Sequence, residues 1–348
     1  MKVIVIAPSR KTRGGITAVV NAYSKMSLWK NWNCYWVESQ IDRGLLLKLL
    51  FFIKAITNYL FQLPSAQIVH IHLSQPVSAV RKIFFFIPAY LMKKKVILHF
   101  HAYAPESTIN GNFRIIYKFM FSRADRIIVL SQVWKDALEK SLGLGLKITI
   151  VYNPSVSPQK RTTADDTNRL PHILFAGTLN ARKGYSDLLK AFANISPEFP
   201  DWTLVFAGNG EINEGLLLAK KLHVDQKVIF KGWVDGVEKE KLFLLSSIFC
   251  LPSYAEGFPM ALLDAMAYSI PSIATPVGGT LDVFTDREEV LIFNPGDIAQ
   301  LTNCLRELIS DAVLRKKLSI NADKIIKQDF TVDAIEVKVN KIYSTIMD

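Results

Sequence analysis

Short apolar runs rich in β-branched residues recur along the whole chain and alternate with longer amphipathic segments. In the first half this pattern predicts strands at residues 3–7, 68–72, 96–101, 126–130 and 147–152. In the second half, similar runs predict further strands at HILFAG, TLVFAG, KVIFKG, IFCLPS, SIATP and VLIFNP. Strands that alternate with helices form parallel sheets covered by helices. The predicted fold class is therefore α/β.

A polar stretch without periodicity, SVSPQKRTTADDTNR at residues 155–169, separates two such alternating regions. Segments of this composition are typical of linkers. Because 348 residues exceed what one hydrophobic core usually serves, we expect two domains. The predicted domains are residues 1–155 and residues 156–330.

The net charge of +11 is concentrated in the first of these domains. Residues 1–155 contain 21 Lys and Arg against 6 Asp and Glu, whereas the remainder contains 21 against 25. This charge is accompanied by no nucleic-acid recognition motif and by no spaced aromatic–basic platform. Nucleic acid is therefore not an expected partner.

Two long apolar runs in the basic domain also carry cations: GLLLKLLFFIKAITNYLFQL at residues 44–63 and KIFFFIPAYLMKKK at residues 82–95. The first is interrupted by polar residues and the second is short, so we expect neither to cross a bilayer, which takes about 20 apolar residues. Cations beside Phe and Leu are typical of helices that lie in an anionic membrane surface. The residues expected at that surface are Lys48, Phe51, Phe52 and Lys93 to Lys95. The alternative is a core helix with a solvated basic face.

The cysteines and the N-terminus bear on the compartment. Cys34, Cys250 and Cys304 are far apart and odd in number, so we expect no disulfide framework and no zinc site. The apolar run VIVIA is too short for the core of a signal peptide. These features favour a reducing cytoplasm.

The stretch YAEGFPMALLDAMAYSIPSIATPVGG, residues 254–279, combines two acids with the start of a helix. Pro259 suits the first helical position, and residues 260–268 are strong helix formers. Glu256 then precedes the helix, and Asp264 lies on it. Two acids beside the free N–H groups of a helix start indicate a ligand site.

Three predicted strands of the second domain end on a glycine: Gly177, Gly208 and Gly232. Ligands of open parallel sheets bind beyond the carboxyl ends of strands, where glycine allows close approach to the backbone. The alternative for each glycine is that it only starts a tight turn. After the first of them, Lys183 and Gly184 begin a helix, which favours anion binding.

We expect Lys183 and Glu256 to contact different parts of one ligand. A carboxylate repels phosphate, so Glu256 should face hydroxyls while Lys183 and the helix start bind the anion. The glycine spacing does not match the GxxxxGK[ST] phosphate loop. A diphosphate with hydroxyls at both ends fits this arrangement, with Glu256 on a transferred sugar and Asp264 on a ribose. The predicted ligand is a nucleotide sugar.

The segment EGFPMALLDAMAYSIPSIATPVGG resembles the donor motif of glycosyltransferase family 4, retaining enzymes of the GT-B fold with two acids separated by seven residues. This fold has two Rossmann-like α/β domains that face each other across a cleft. The chain departs from the family at Asp264, where glutamate is usual, and at Thr178, where arginine is usual. Arg182 is the candidate replacement for that arginine.

The resemblance implies roles for further residues. RGGITAVV at residues 13–20 resembles the N-terminal glycine loop, and ILHFHAYA places His101 near the reacting sugar, whereas His70, His72 and His99 are expected to be core residues. The implied catalytic residues are Glu256, His101 and Lys183. The implied donor-binding residues are Gly15, Gly177, Thr178, Arg182, Lys183, Gly208, Gly210, Gly257, Phe258, Pro259, Leu263 and Asp264. Residues 331–348 are expected to pack back on the first domain.

The activity implied is retaining transfer of a hexose from a UDP- or GDP-sugar to a hydroxyl of a glycan, of the kind used in bacterial cell-surface polysaccharide synthesis. The sequence contains no Asp-x-Asp pair, so neither a metal nor another cofactor is expected. The basic domain favours an acceptor linked to a polyprenyl diphosphate at the cytoplasmic face of the membrane. The alternatives are a nucleotide-sugar epimerase of similar fold and a non-catalytic scaffold on the membrane surface.

Overall fold

The computed structural model describes residues 1–155 and 169–348. The chain forms two compact units, the first made of Met1–Pro154 with Val332–Asp348 and the second of Ser155–Thr331. Each unit contains one six-stranded parallel sheet. Most of the linker predicted at residues 155–169 lies outside the described residues.

The sheet of the first unit has the strand order β2-β1-β3-β4-β5-β6. Its strands are β1 (Val3–Ala7), β2 (Cys34–Glu38), β3 (Ile68–Leu73), β4 (Lys95–Phe100), β5 (Arg126–Val129) and β6 (Ile148–Ile150). The sequence prediction found five of these strands within a few residues but missed β2. The segment CYWVE contains Tyr, Trp and Val, which are enriched in strands, and it pairs in parallel with β1 along its whole length.

The helices of the first unit cover both faces of this sheet. They are α1 (Gly15–Tyr23), α2 (Ser27–Asn31), α3 (Leu45–Gln62), α4 (Pro76–Leu91), α5 (Arg114–Arg123) and α6 (Gln132–Leu142). One large apolar core lies under α3 to α6, built from the alternate strand residues that face them, such as Val69, Ile71 and Leu98. The residues between these on β3 and β4 point to the opposite face, where the histidines lie.

Helix α3 buries only a narrow face. Ala55 and Tyr59 are buried, and the Tyr59 hydroxyl donates a hydrogen bond to the backbone oxygen of Phe85 at 2.6 Å. The stretch Leu45–Ser65 has the length, 21 residues, and the mean hydropathy, 1.4, of a membrane span, and 11% of it is buried. On length and composition, therefore, the prediction that this run cannot cross a bilayer is not supported. Its buried face nevertheless belongs to the core of the first unit.

The sheet of the second unit has the order β12-β11-β10-β7-β8-β9. Its strands are β7 (Leu170–Ala176), β8 (Thr203–Ala207), β9 (Val228–Gly232), β10 (Ser246–Leu251), β11 (Ser272–Ala274) and β12 (Leu291–Ile292). Its helices are α7 (Tyr185–Ile195), α8 (Ile212–Lys221), α9 (Gly236–Leu245), α10 (Met260–Ala267), α11 (Ile298–Ser310) and α12 (Ala312–Asp329). All six apolar runs predicted as strands in this region form strands.

The last helix, α13 (Val332–Thr345), belongs to the first unit. The Glu336 carboxylate accepts hydrogen bonds from the backbone N–H groups of Ser27 and Leu28, at 3.3 and 2.6 Å, and so caps the N-terminus of α2. Trp32 donates from Nε1 to Asn340 at 2.7 Å. These polar contacts, together with the buried side chains of α13, fix the helix on the first unit.

Candidate functional site

The predicted donor residues of the second unit gather at the carboxyl ends of three adjacent strands. β7 pairs with β10 on one side and with β8 on the other. The loops that follow these strands are therefore neighbours, and they carry Gly177, Gly208 and Glu256. The first two loops are also joined directly, since Leu179 donates from its backbone N–H to Asn209 at 2.7 Å and bridges to Gly210.

Glu256 is the centre of this cluster. Its side chain is only 10% exposed, and Oε1 accepts from Lys183 Nζ at 2.5 Å and from the Ser253 hydroxyl at 2.6 Å. Nη1 of Arg182 lies 3.6 Å from Oε2 of Glu256, and it donates a hydrogen bond to the backbone oxygen of Ala255 at 2.6 Å. The structure thus brings together the acid, the lysine and the arginine that the sequence singled out.

Opposing effects act on the pKa of Glu256. Burial raises the pKa, but the charges of Lys183 and Arg182 and the hydrogen bonds from Lys183 and Ser253 outweigh burial, so the pKa lies below its usual value. Glu256 is therefore ionised at neutral pH. A buried carboxylate held between two cations can accept hydrogen bonds from neutral hydroxyls, and the cations beside it can bind an anion.

The backbone around this cluster requires glycine at two positions. A Cβ on Gly208 would lie 1.8 Å from the backbone oxygen of Gly177. Gly184 has φ of +67°, and a Cβ there would lie 2.0 Å from the backbone oxygen of Pro252. At Gly184 the short turn that carries Arg182 and Lys183 ends and α7 begins. Tight packing of these loops therefore sets the position of Lys183 relative to Glu256.

Helix α10 starts one residue later than predicted, with Pro259 as its N-cap residue. Two residues at this helix that were predicted to bind the donor nucleotide sugar have buried side chains. Leu263 is fully buried, and the Phe258 ring stacks on Phe330 at 5.6 Å between centroids. The structure therefore places these two side chains in the core of the second unit. Gly257 precedes them, and Thr178, at the position of the family's arginine, is exposed.

Asp264 has a partner that sequence reasoning missed. Its Oδ2 accepts a hydrogen bond from Lys239 of α9 at 2.6 Å, and the Asp264 side chain is only 10% exposed. Lys239 belongs to no motif, and the spacing of charged residues along α9 gave no signal for it. The second acid of the donor motif is therefore part of an ion pair in this chain.

The first unit presents a row of histidines on one face of its sheet. His70 and His72 lie on β3, His99 lies on β4 opposite His72, and His101 follows the end of β4. His70, His72 and His99 are fully buried, as expected, whereas His101 is partly exposed. In the same unit Gly15 begins α1, after the carboxyl end of β1.

All four histidines are neutral at physiological pH. Burial lowers the pKa of His70 and of His101 to about 3 and holds the pKa values of His72 and His99 well below the usual value. Neighbouring imidazoles further lower the pKa values of His72, His99 and His101. The row therefore consists of hydrogen-bonding groups and carries no charge.

Among the described residues, His70, His72 and His99 form a group that could offer nitrogens to a metal ion. One ring nitrogen from each lies within 4.8 Å of the others. However, the ring planes are nearly parallel, at 21°, 9° and 30° to one another. Because the lone pair of an imidazole nitrogen lies in the ring plane, stacked rings do not direct three lone pairs to one point. The observed ring orientations do not fit a metal site.

Two family models match the chain. The model described as Glycosyltransferase Family 4 matches residues 3–154, and the model described as Glycosyl transferases group 1 matches residues 159–325. Among curated proteins, an uncharacterized glycosyltransferase of Haemophilus influenzae is 28% identical over 236 residues, 67% of this chain and 65% of that protein. The N-acetyl-alpha-D-glucosaminyl L-malate synthase of Bacillus anthracis is 30% identical over 166 residues, 47% of this chain and 43% of the relative. The matched region spans less than two thirds of either relative.

Solved structures show the same fold. The Anabaena protein Alr3699/HepE in complex with UDP-glucose matches with a TM-score of 0.79 at 18% identity, covering 99% of this chain and 100% of that one. Sucrose-phosphate synthase from Thermosynechococcus elongatus matches with a TM-score of 0.80 at 17% identity, covering 99% of both chains. At these identities the likeness establishes the fold, which is GT-B. Since glycosyltransferase models also match both halves of the chain, the protein belongs to the glycosyltransferases of the family 4 type.

Proposed function

We propose that this chain transfers a hexose from a UDP- or GDP-sugar to a hydroxyl of a glycan acceptor, with retention of the anomeric configuration. The observation that carries the proposal is the buried, ionised Glu256 bound to Lys183 at the carboxyl ends of β7 and β10. Four of the similar solved structures contain UDP or UDP-glucose, which favours UDP.

In this proposal the donor spans the cluster around Glu256. Lys183, Arg182 and the backbone at the start of α10 stabilise charge on the leaving diphosphate, while Glu256 accepts hydrogen bonds from hydroxyls of the sugar. Asp264 accepts from a ribose hydroxyl. Because Lys183 is bound to Glu256, a diphosphate competes with that carboxylate for the lysine, and donor binding rearranges the pair.

The proposed reaction needs no metal. The sequence contains no Asp-x-Asp pair, and Lys183 and Arg182 supply two cations next to the proposed diphosphate position. In the first unit, we propose that Gly15 lies on the phosphate side of the donor and that His101 contacts the transferred sugar. The neutral His101 can take part in a hydrogen bond there without adding charge.

The proposed acceptor is a glycan linked to a polyprenyl diphosphate, bound at the cytoplasmic face of the membrane. Residues 43–105 contain eight Lys and Arg and no acid, so this region suits an anionic lipid surface. Helix α3 exposes a row of large apolar side chains: Leu45, Leu46, Leu47, Leu49, Leu50, Ile53 and Phe61. Since its other face packs in the core of the first unit, we propose that α3 lies along the membrane surface as a peripheral anchor.

Isothermal titration calorimetry with UDP, GDP and ADP tests the donor site. We expect one nucleotide to bind selectively and Lys183→Ala to weaken that binding at least tenfold, because the lysine neutralises the diphosphate. Asp264→Ala should weaken binding by a similar factor through the ribose. If none of the three nucleotides binds the wild-type protein, the proposed donor site is wrong.

Vesicle flotation tests the membrane surface. We expect the protein to float with phosphatidylglycerol vesicles at low salt and to remain unbound with phosphatidylcholine vesicles. The double substitution Leu46→Gln and Leu50→Gln should reduce binding, whereas Leu217→Gln, which changes a similarly exposed leucine of the second unit, should not. Equal binding of all variants to both lipids would contradict the proposal.

A further inference from the structure

Four side chains of the first unit form a series that runs from its core to the carboxyl end of β4. The Tyr343 hydroxyl lies 2.7 Å from Nδ1 of His70. The rings of His70 and His72 stack at 4.6 Å between centroids. Nδ1 of His72 then lies 2.9 Å from Nε2 of His101. The series therefore links α13, β3 and the end of β4.

The two ends of this series differ in exposure. Tyr343 is 1% exposed, and among the described residues its hydroxyl has His70 as its hydrogen-bond partner. His101 at the other end is partly exposed, and its Nδ1 is not one of the buried ring nitrogens that lack a partner. Those nitrogens include Nε2 of both His70 and His72. One end of the series is thus closed, and the other is open to solvent or ligand.

This difference decides which way the hydrogen bonds point. If the Tyr343 hydroxyl donates to His70, its hydrogen is satisfied, and the neutral His70 carries its proton on Nε2. The first arrangement leaves one buried group without a partner among the described residues, the Nε2–H of His70, whereas donation from His70 to Tyr343 leaves two, the hydroxyl hydrogen and the bare Nε2 of His70. The first arrangement is therefore favoured.

The same reasoning extends to His72. Nε2 of His72 is buried without a hydrogen-bond partner among the described residues, so a proton there would lack an acceptor, whereas Nδ1 of His72 faces Nε2 of His101 at 2.9 Å. A neutral imidazole carries one proton, so His72 then carries it on Nδ1. Nδ1–H of His72 donates to Nε2 of His101, which leaves the proton of His101 on Nδ1.

We propose that His72 is a positioning residue that holds His101 in the tautomer protonated on Nδ1, so that His101 presents an N–H donor at the open end of the series. The role of His101 in transfer rests on the proposed function, but the tautomer does not. In that role His101 donates a hydrogen bond to an oxygen of the sugar. It does not remove a proton from the acceptor, because its Nε2 is occupied by His72.

Nitrogen-15 NMR of histidine rings tests this proposal directly. The chain has six histidines, so the two ring nitrogens of each can be assigned in the full-length protein by single substitutions. At pH 7.5 we expect His101 to carry its proton on Nδ1. A wild-type His101 protonated on Nε2 would overturn the proposal.

Three variants separate positioning from a purely structural role. Tyr343→Phe removes the hydroxyl bound to His70 but leaves the hydrogen bond between His72 and His101 in place, so His101 should keep its proton on Nδ1. In His72→Leu nearly all of His101 should carry its proton on Nε2. In His72→Gln the Nδ1 tautomer of His101 should be restored, because the glutamine amide can donate to His101. A His101 that keeps its proton on Nδ1 in folded His72→Leu would also overturn the proposal. Failure of nucleotide binding in calorimetry would instead contradict the proposed function and leave the tautomer result intact.

Discussion

At the scale of single residues, Glu256 and Lys183 are the centre of the proposed donor site. The Glu256 carboxylate is buried and ionised, and its Oε1 accepts hydrogen bonds from a lysine and from a hydroxyl. Its ionised state therefore depends on a few contacts at fixed distances. The loops that supply these groups pack backbone against backbone at Gly208. Small changes there should therefore affect nucleotide binding more than changes at exposed positions.

Gly208→Ala tests this packing. A Cβ 1.8 Å from the backbone oxygen of Gly177 forces the two loops apart, and we expect a loss of about 1–3 kcal/mol in the free energy of unfolding. We also expect nucleotide affinity to fall more than tenfold, because the loop that carries Lys183 moves. Gly44→Ala is the control, since a Cβ there meets nothing within 4 Å. Unchanged affinity for Gly208→Ala in calorimetry would contradict the account.

The sequence predicted much of this site, because its acids, lysine and glycines stand at fixed spacings around strand ends and a helix start. It did not predict the ion pair of Lys239 with Asp264, which depends on how α9 and α10 pack. The side chains of Leu263 and Phe258, two of the predicted donor-binding residues, are buried in the core, so donor binding at these positions stays a prediction for their backbone groups. Tertiary packing decides which residues of a motif face a ligand, and a pattern along the chain does not contain that information.

At the scale of elements, an ion pair between Lys239 and Asp264 joins α9 to α10. Asp264 is buried on α10 and receives its charged partner from α9. Removing Lys239 leaves a carboxylate with little access to water. The cost is limited, because the Lys239 side chain is itself 40% exposed and its charge is screened.

Lys239→Met should therefore lower the free energy of unfolding by about 1 kcal/mol or less. Lys241→Met, two residues along the same helix, is the matched control and should change stability little. Chemical denaturation of both variants and the wild type measures the difference. Equal stability of the two variants would show that the ion pair contributes nothing to the packing of α9 on α10.

Elements with strong apolar runs were predicted well, and those that depend on neighbours were not. All six strands of the second unit coincide with short apolar runs, which are typical of parallel sheets, although β9 at the edge of the sheet is only partly buried. β2 was missed although Tyr, Trp and Val of CYWVE favour a strand, because the segment is only five residues long and two of its five residues are buried. The burial of α3 could not be derived either, since its apolar composition fits a core helix, a surface helix and a span alike.

At the scale of the whole molecule, the buried histidines make stability depend on pH. The pKa values of His70 and His101 are lowered to about 3 in the folded chain, whereas an unfolded histidine has a pKa of about 6.5. As pH falls below the unfolded value, the unfolded chain binds protons that the folded chain does not. The contribution of these histidines to the free energy of unfolding is therefore fully present above about pH 6.5 and is lost as the pH falls toward 3.

When the pH is lowered from 7 to 5, each such histidine should reduce the free energy of unfolding by about 2 kcal/mol. We expect the first unit, which holds the four, to unfold at a lower temperature at pH 5 than at pH 7. His99→Leu removes one of them and should reduce this pH dependence, while His223→Gln, at an exposed site, should not. Scanning calorimetry at the two pH values measures the shift. An equal shift in the wild type and in His99→Leu would contradict the argument.

We propose that a donor nucleotide binds at the carboxyl ends of β7, β8 and β10, and the proposed function rests on this binding. Hydrogen–deuterium exchange with and without saturating UDP tests it most directly, because it locates binding along the chain. We expect slower exchange at residues 177–184 and 254–264, and we expect Lys183→Ala to lose this protection at the same UDP concentration. Protection confined to other segments of a protein that binds UDP would contradict the proposal.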